Sequence, residues 1–194
     1  FSDPSAPAAV ENLSISYATP GATTARISCD LPTRTAGGNE LKGLINVAIV
    51  VDGDTVQIKE NQSPGAEFSI SLVLTNGLHV LKVICLNSGG EGVAASIKTF
   101  TREDMPQIPT EVTAVAEESG KATLSWTLPE AGINGGWVNL TKVSYDILRN
   151  GESLSTDIKE TTYIDNLPEN ELKSYKYTVI VKFGGEECGS VESN

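Results

Sequence analysis

The chain has 194 residues, with 14 basic and 25 acidic side chains, a formal net charge of −11 and 39% hydrophobic residues, a length that suits two domains of ordinary size. No stretch gathers lysines or arginines on one face, so the attraction to a phosphate backbone that a nucleic-acid partner requires is missing. No apolar run approaches the ~20 residues that cross a bilayer, and Phe1-Ser2-Asp3-Pro4 has neither a basic n-region nor a hydrophobic h-region, so any signal or anchor segment is expected outside this chain.

Taken in chain order, the apolar residues recur at the strand period and not the helical one. Ala25, Ile27, Cys29 and Leu31 alternate with Thr24, Arg26, Ser28 and Asp30. Ile45, Val47, Ile49 and Val51 follow, ending on Asp52-Gly53, a dipeptide that marks a tight hairpin because both central residues of that turn take positive φ. Phe68, Ile70, Leu72 and Leu74 carry another strand, as do His79, Leu81, Val83 and Cys85. The run Arg102 to Pro109 contains two prolines, which stiffen it into a short connector. After it the pattern returns. Ser28-Cys29-Asp30-Leu31-Pro32 is matched by Ser125-Trp126-Thr127-Leu128-Pro129, Gly37-Gly38 by Gly135-Gly136, and Asp52-Gly53 by Asn150-Gly151. Ala122, Leu124, Trp126 and Leu128 form an inward set, and Tyr175, Tyr177, Val179 and Val181 answer the histidine strand.

A repeat at half the chain length means two copies of one folding unit. The expected fold is all-β, two tandem immunoglobulin-like antiparallel sandwiches at residues 1–104 and 105–194, with about seven short strands each. Only four residues follow Cys188-Gly189-Ser190. The last strand of the second copy is therefore expected to be cut short or to continue beyond this chain, with Cys188 in the turn after the sixth strand.

These residues resemble the fibronectin type III family. The second copy has the proline-led first strand (Pro109, Val112, Val115), the core tryptophan with its trailing proline (Leu124, Trp126, Pro129), Tyr145 with Ile147, and the tyrosine-rich sixth strand. The resemblance makes Tyr175 the corner tyrosine, whose hydroxyl ties a loop to the strand. The first copy shares the frame but places Cys29 at the tryptophan position and His79 at the corner position. Leu31 to Gly38 also resembles modules of bacterial cell-envelope proteins. The family implies an exported or surface-anchored, non-catalytic spacer and adhesion-type interaction module, flanked by further domains.

Cys29 and Cys85 occupy core positions on opposite sheets, where immunoglobulin-type sandwiches place their bridge. Alignment with the second copy sets Cys85 level with Val181, about one pleat beyond the level of Cys29, so a disulfide and two buried thiols both stay open. One histidine and three scattered cysteines make no zinc spacing, and no phosphate loop opens a helix, so no metal or cofactor is expected. His79 points inward with no nucleophile paired to it by spacing, which argues against an enzyme.

Two features carry functional readings. Trp137, with Asn134 and Asn139 near Gly135-Gly136, could stack on a sugar ring as part of a carbohydrate-binding accessory region; the alternative is that it folds over the sandwich end or fills the joint between copies. The second feature is an apolar outer face on the first copy. Between its core positions the second copy has Asp146, Lys176, Thr178 and Lys182, whereas the first has Ala48, Val50, Val80, Ile84 and Leu86 with Lys82. Such a face marks an interaction site unless a neighbouring loop such as 56–64 covers it.

Overall fold

A computed structural model of the chain describes residues 3–117, 120–168 and 174–194, and it divides into two compact units, Phe1–Arg102 and Glu103–Asn194. Unit 1 contains β1 (Glu11–Tyr17), β2 (Thr24–Asp30), β3 (Ile45–Val51), β4 (Asp54–Gln62), β5 (Glu67–Val73), β6 (Gly77–Asn87), the short β7 (Gly90–Glu91) and β8 (Ala95–Thr101). One sheet runs β1-β2-β5; the other runs β4-β3-β6, with β7 and β8 both paired to β6. Unit 2 contains β9 (Val112–Glu117), β10 (Lys121–Trp126), β11 (Val143–Arg149), β12 (Glu152–Ile158), β13 (Thr162–Asn166), β14 (Tyr177–Phe183) and β15 (Glu186–Glu192). Its sheets run β13-β10-β9 and β12-β11-β14-β15. In both units the first, second and fifth strands face the fourth, third, sixth and last, with the short β7 an addition in unit 1, so each is a fibronectin type III-like sandwich of antiparallel strands.

The alternation sets which side chains meet. Ile27 and Cys29 from β2 pack against Val47 and Ile49 from β3 and Leu81, Val83 and Cys85 from β6 in unit 1. Leu124 and Trp126 pack against Tyr145, Ile147, Val179 and Val181 in unit 2, with the Trp126 and Tyr145 rings edge-to-face at 5.2 Å. Edge-to-face contact places the positive rim of one ring on the negative face of the other.

Both hairpins form as the dipeptides demand, with Asp52 and Gly53 at φ 53° and 102° and Asn150 and Gly151 at 49° and 85°. A two-residue turn returns the chain at once. The segment read from sequence as a covering loop, 56–64, is therefore mostly β4, whose alternation is broken by register shifts opposite Ile45/Val47 and Ile49/Val50. Three other expectations change. Leu31 is 3% exposed because its amide still pairs with the Ala66 carbonyl, but β10 stops at Trp126 and Leu128 is 49% exposed. Gly184 and Gly185, at φ 62° and 92°, turn the chain so tightly that β15 starts directly after them, with the same seven-residue length as β8 and Cys188 inside it. Finally, Glu103 and Asp104 belong with unit 2.

Candidate functional site

The outer face of β4-β3-β6-β8 is built by the strand positions that the core leaves over. Residues directly opposite across antiparallel strands share a face, so the pairings Ile58↔Ala48 and Ala48↔Ile84 lay three apolar side chains in one row. Val50↔Lys82 and Lys82↔Ser96 make the next row, Val80↔Lys98 and Leu78↔Phe100 two further rows, and Asn46↔Leu86 with Leu86↔Glu91 the row at the other end. Ala48 and Val50, in the middle of the sheet, are only 6% and 8% exposed, being flanked by β4 and β6. The accessible apolar surface of this face belongs instead to Ile58 at 53% and Leu78 at 49%, with Val80, Ile84 and Leu86 half-buried, while Val56, 50% exposed, is unpaired at the register shift of β4. Val56 and Ile58 escape sequence reading because β4 does; the Asp52-Gly53 turn is the signal that could have found them.

Unit 2 treats the same face differently. Lys182 Nζ sits 3.0 Å from Asp157 Oδ1 and 3.3 Å from Asp146 Oδ2, and Ser144 donates to the same Asp157 oxygen at 3.3 Å. The Asp157 bond, and then Asp146, hold the Lys182 ammonium above its ordinary pKa. Lys176 pairs with Glu192. These charges satisfy one another within the unit.

His79 is 6% exposed, with Nδ1 2.7 Å from Asp52 Oδ2 and Nε2 3.0 Å from the Thr75 carbonyl and 3.4 Å from the Thr75 hydroxyl. A carbonyl and a carboxylate only accept, so both ring nitrogens donate and no lone pair remains to take the Thr75 proton. Burial pulls the imidazole pKa down, but the Asp52 and Thr75 bonds outweigh it and hold the pKa above its usual value. The Val80 amide and then His79 lower that of Asp52. The arrangement is a charged clamp, not a base poised beside a nucleophile.

Trp137 is 39% exposed, but its neighbours are engaged. Asn134 donates its side-chain amide to Asp104 Oδ1 at 3.0 Å, and Asn139 donates to Glu103 Oε1 at 3.0 Å. Asp104, 1% exposed and not singled out by sequence, takes four donors: the Met105, Asn134 and Gly136 amides and the Asn134 side chain. It organises the loop that carries the indole.

Cys29 and Cys85 are buried free thiols, and burial raises their pKa values to about 11 and about 12. The Tyr177 hydroxyl donates to Asp165 Oδ2 at 2.8 Å, and Arg149 meets the same oxygen at 2.8 Å while lying over the Tyr175 ring. The Tyr175 hydroxyl has no hydrogen-bond partner among the described residues; the segment just upstream, 169–173, lies outside them. No group of three or more potential metal ligands occurs among the described residues.

No protein-family model matches the chain, and no curated protein matches it. Among solved structures it is similar to the central fibronectin-III array of RIM-binding protein, at 14% identity and TM-score 0.36, covering 96% of this chain and 67% of that one. It is similar to the FN1–FN3 domains of chicken CNTN1, at 14% identity and TM-score 0.34, with 96% and 67% covered. A two-domain fibronectin type III segment of chicken tenascin also matches at 14% identity and TM-score 0.34, with 95% and 97% covered.

Proposed function

We propose that this chain is a non-catalytic, extracellular-type interaction module, with the outer face of the four-stranded sheet in unit 1 as its protein-docking surface. One contrast carries the reading. Two sandwiches of the same topology differ on the same face, one closed by the Lys182, Asp146 and Asp157 ion pairs and the other apolar through Ile58, Val80, Ile84 and Leu86. An apolar band on a solvated sheet face is costly to leave exposed, and contiguous patches of this kind on soluble domains mark interaction sites. The adhesion-type and exported-surface setting follows from the family resemblance. The glycan reading retains the Trp137 indole, but both flanking amides are already bonded to Glu103 and Asp104.

The test places a photo-crosslinking residue at position 58, or at Thr178 on the corresponding face of unit 2, and irradiates the chain in its native setting. Protein adducts at 58 and none at 178 support the reading. No protein adduct at 58, or equal yields at both, overturns it.

A further inference from the structure

Resting on that reading, we propose that the partner of this face is a second copy of the same chain, related by a two-fold axis lying in the interface and perpendicular to the strands. Charge placement selects this pairing. Lys98 stands opposite Val80, and Glu91 stands opposite Leu86, so a cation and an anion sit on the same flank of β6, six residues apart along it, which is about 20 Å at the rise of a strand. A two-fold axis of this orientation sets the Val80 row of one copy on the Leu86 row of the other. Each Lys98 then faces the Glu91 of the other copy, twice by symmetry, and the Ile58-Ala48-Ile84 row falls between them on the Val50-Lys82-Ser96 row of its counterpart. A closed dimer needs a patch complementary to itself, and this face has one. Stacked sheets lie about 10 Å apart, a gap that a lysine and a glutamate reaching from opposite sides can bridge.

Net charge permits the association. Residues 1–102 carry nine acidic and seven basic side chains, while residues 103–194 carry sixteen and seven, so apposing two copies of unit 1 brings little repulsion. Lys82 lies close to the axis, paired with Val50 and Ser96; its stem can pack along the facing Ile84 row, and its charge opposes the association, which is why its removal is included in the test. The corresponding face of unit 2 cannot substitute, because its lysine and aspartates already neutralise one another.

Sedimentation of the full chain over a wide concentration range is the test. The wild type should dimerise. Lys98→Glu and Glu91→Lys should each weaken the dimer about tenfold or more, since each sets like charges together twice. Mixing the two variants should restore it, because every contact then joins the two acids of one variant to the two lysines of the other. Ile58→Lys, at an exposed position, should abolish assembly with circular dichroism unchanged, and Lys82→Leu should tighten it. A chain that stays monomeric at high concentration, or variants whose mixture is no tighter than either alone, overturns the second copy as partner. Protein adducts at position 58 with a different chain would then leave the docking face standing, whereas their absence would remove both.

Discussion

Asp52 and His79 close the mouth of the β3–β4 hairpin with the two oxygens of one carboxylate: Oδ2 takes His79 Nδ1 at 2.7 Å and Oδ1 takes the Val80 amide at 2.8 Å. In unit 2 the corresponding residues are Asn150 and Tyr175, and Asn150 Oδ1 takes the Lys176 amide at 2.9 Å. The backbone half of the clamp is common to both units. The acid–imidazole half belongs to unit 1, where the two departures from the repeat, an aspartate for an asparagine and a histidine for a tyrosine, meet each other.

A pH signature confined to unit 1 follows. His79 is held above its ordinary pKa, so its contribution is complete below about pH 6.5 and is lost as pH rises through the folded value. Asp52 is held below its own, so its contribution is present above about pH 3.9 and is lost as pH falls through the folded value. Unit 1 should therefore melt highest between these limits and lower at alkaline pH, and His79→Phe should flatten the alkaline fall. Both tryptophans lie in unit 2 and the only histidine in unit 1. Tryptophan fluorescence thus follows unit 2 alone, and circular dichroism adds unit 1. A unit 1 midpoint that climbs from about pH 6 to pH 9 would contradict the clamp.

Thiol reactivity should separate the three cysteines. The Cys29 and Cys85 thiols, at about 11 and about 12, stay protonated at neutral pH and are 4% and 0% exposed, whereas Cys188 is only half-buried on β15. The thiolate is the reactive form. Native protein treated with a disulfide reagent should be modified first at Cys188, with the other two released only by denaturant. Early labelling at Cys29 or Cys85 would mean that the core of unit 1 opens readily.

In unit 2 the buried Asp165 carboxylate is shared by the Tyr177 hydroxyl and Arg149. Tyr177→Phe removes a charge-assisted bond at a 2%-exposed ring without changing its shape, which should cost about 1.5–3 kcal/mol. Denaturant unfolding followed by tryptophan fluorescence reads this directly; an unchanged midpoint would show the bond to be unimportant. If Tyr175 is the corner tyrosine, Tyr175→Phe should show a loss on the order of 1 kcal/mol in the same assay.

The strands that bury one face were legible because period-two alternation reports burial: the inward sets Ala25-Ile27-Cys29, Val47-Ile49 and Val179-Val181 are the ones that pack. β4 was not, because two register shifts destroy its alternation and both its faces are largely solvated. The outer face could be foreseen from Val50 and Ile84, whose apolar character sits at polar parity, but not its most accessible residue, Ile58, which lies on that hidden strand. Asp104 was invisible for a different reason. In sequence it is one acid in a connector, and only the fold brings the loop amides 30 residues away to its oxygens.

That carboxylate holds the loop in place. Asp104 accepts the Met105 amide at 2.9 Å, the Asn134 amide at 2.8 Å, the Gly136 amide at 3.0 Å and the Asn134 side chain at 3.0 Å. A Cβ on Gly132 would come within 2.2 Å of the same carboxylate, so the loop is seated directly against it and has no room to adjust. Asp104→Ala would leave these donors without an acceptor in a site that is 1% exposed, and a stranded buried donor costs about 1–3 kcal/mol. Water entering the vacated space would recover part of several such losses, so the expected total is on the order of 3 kcal/mol. Asp104→Asn keeps one acceptor oxygen and should fall between. Trp137 rides on this loop, its carbonyl taking the Asp104 amide at 2.8 Å, and its emission should shift to longer wavelength in Asp104→Ala well before unit 2 unfolds. A variant that loses stability with no spectral change would place the effect elsewhere than in the loop.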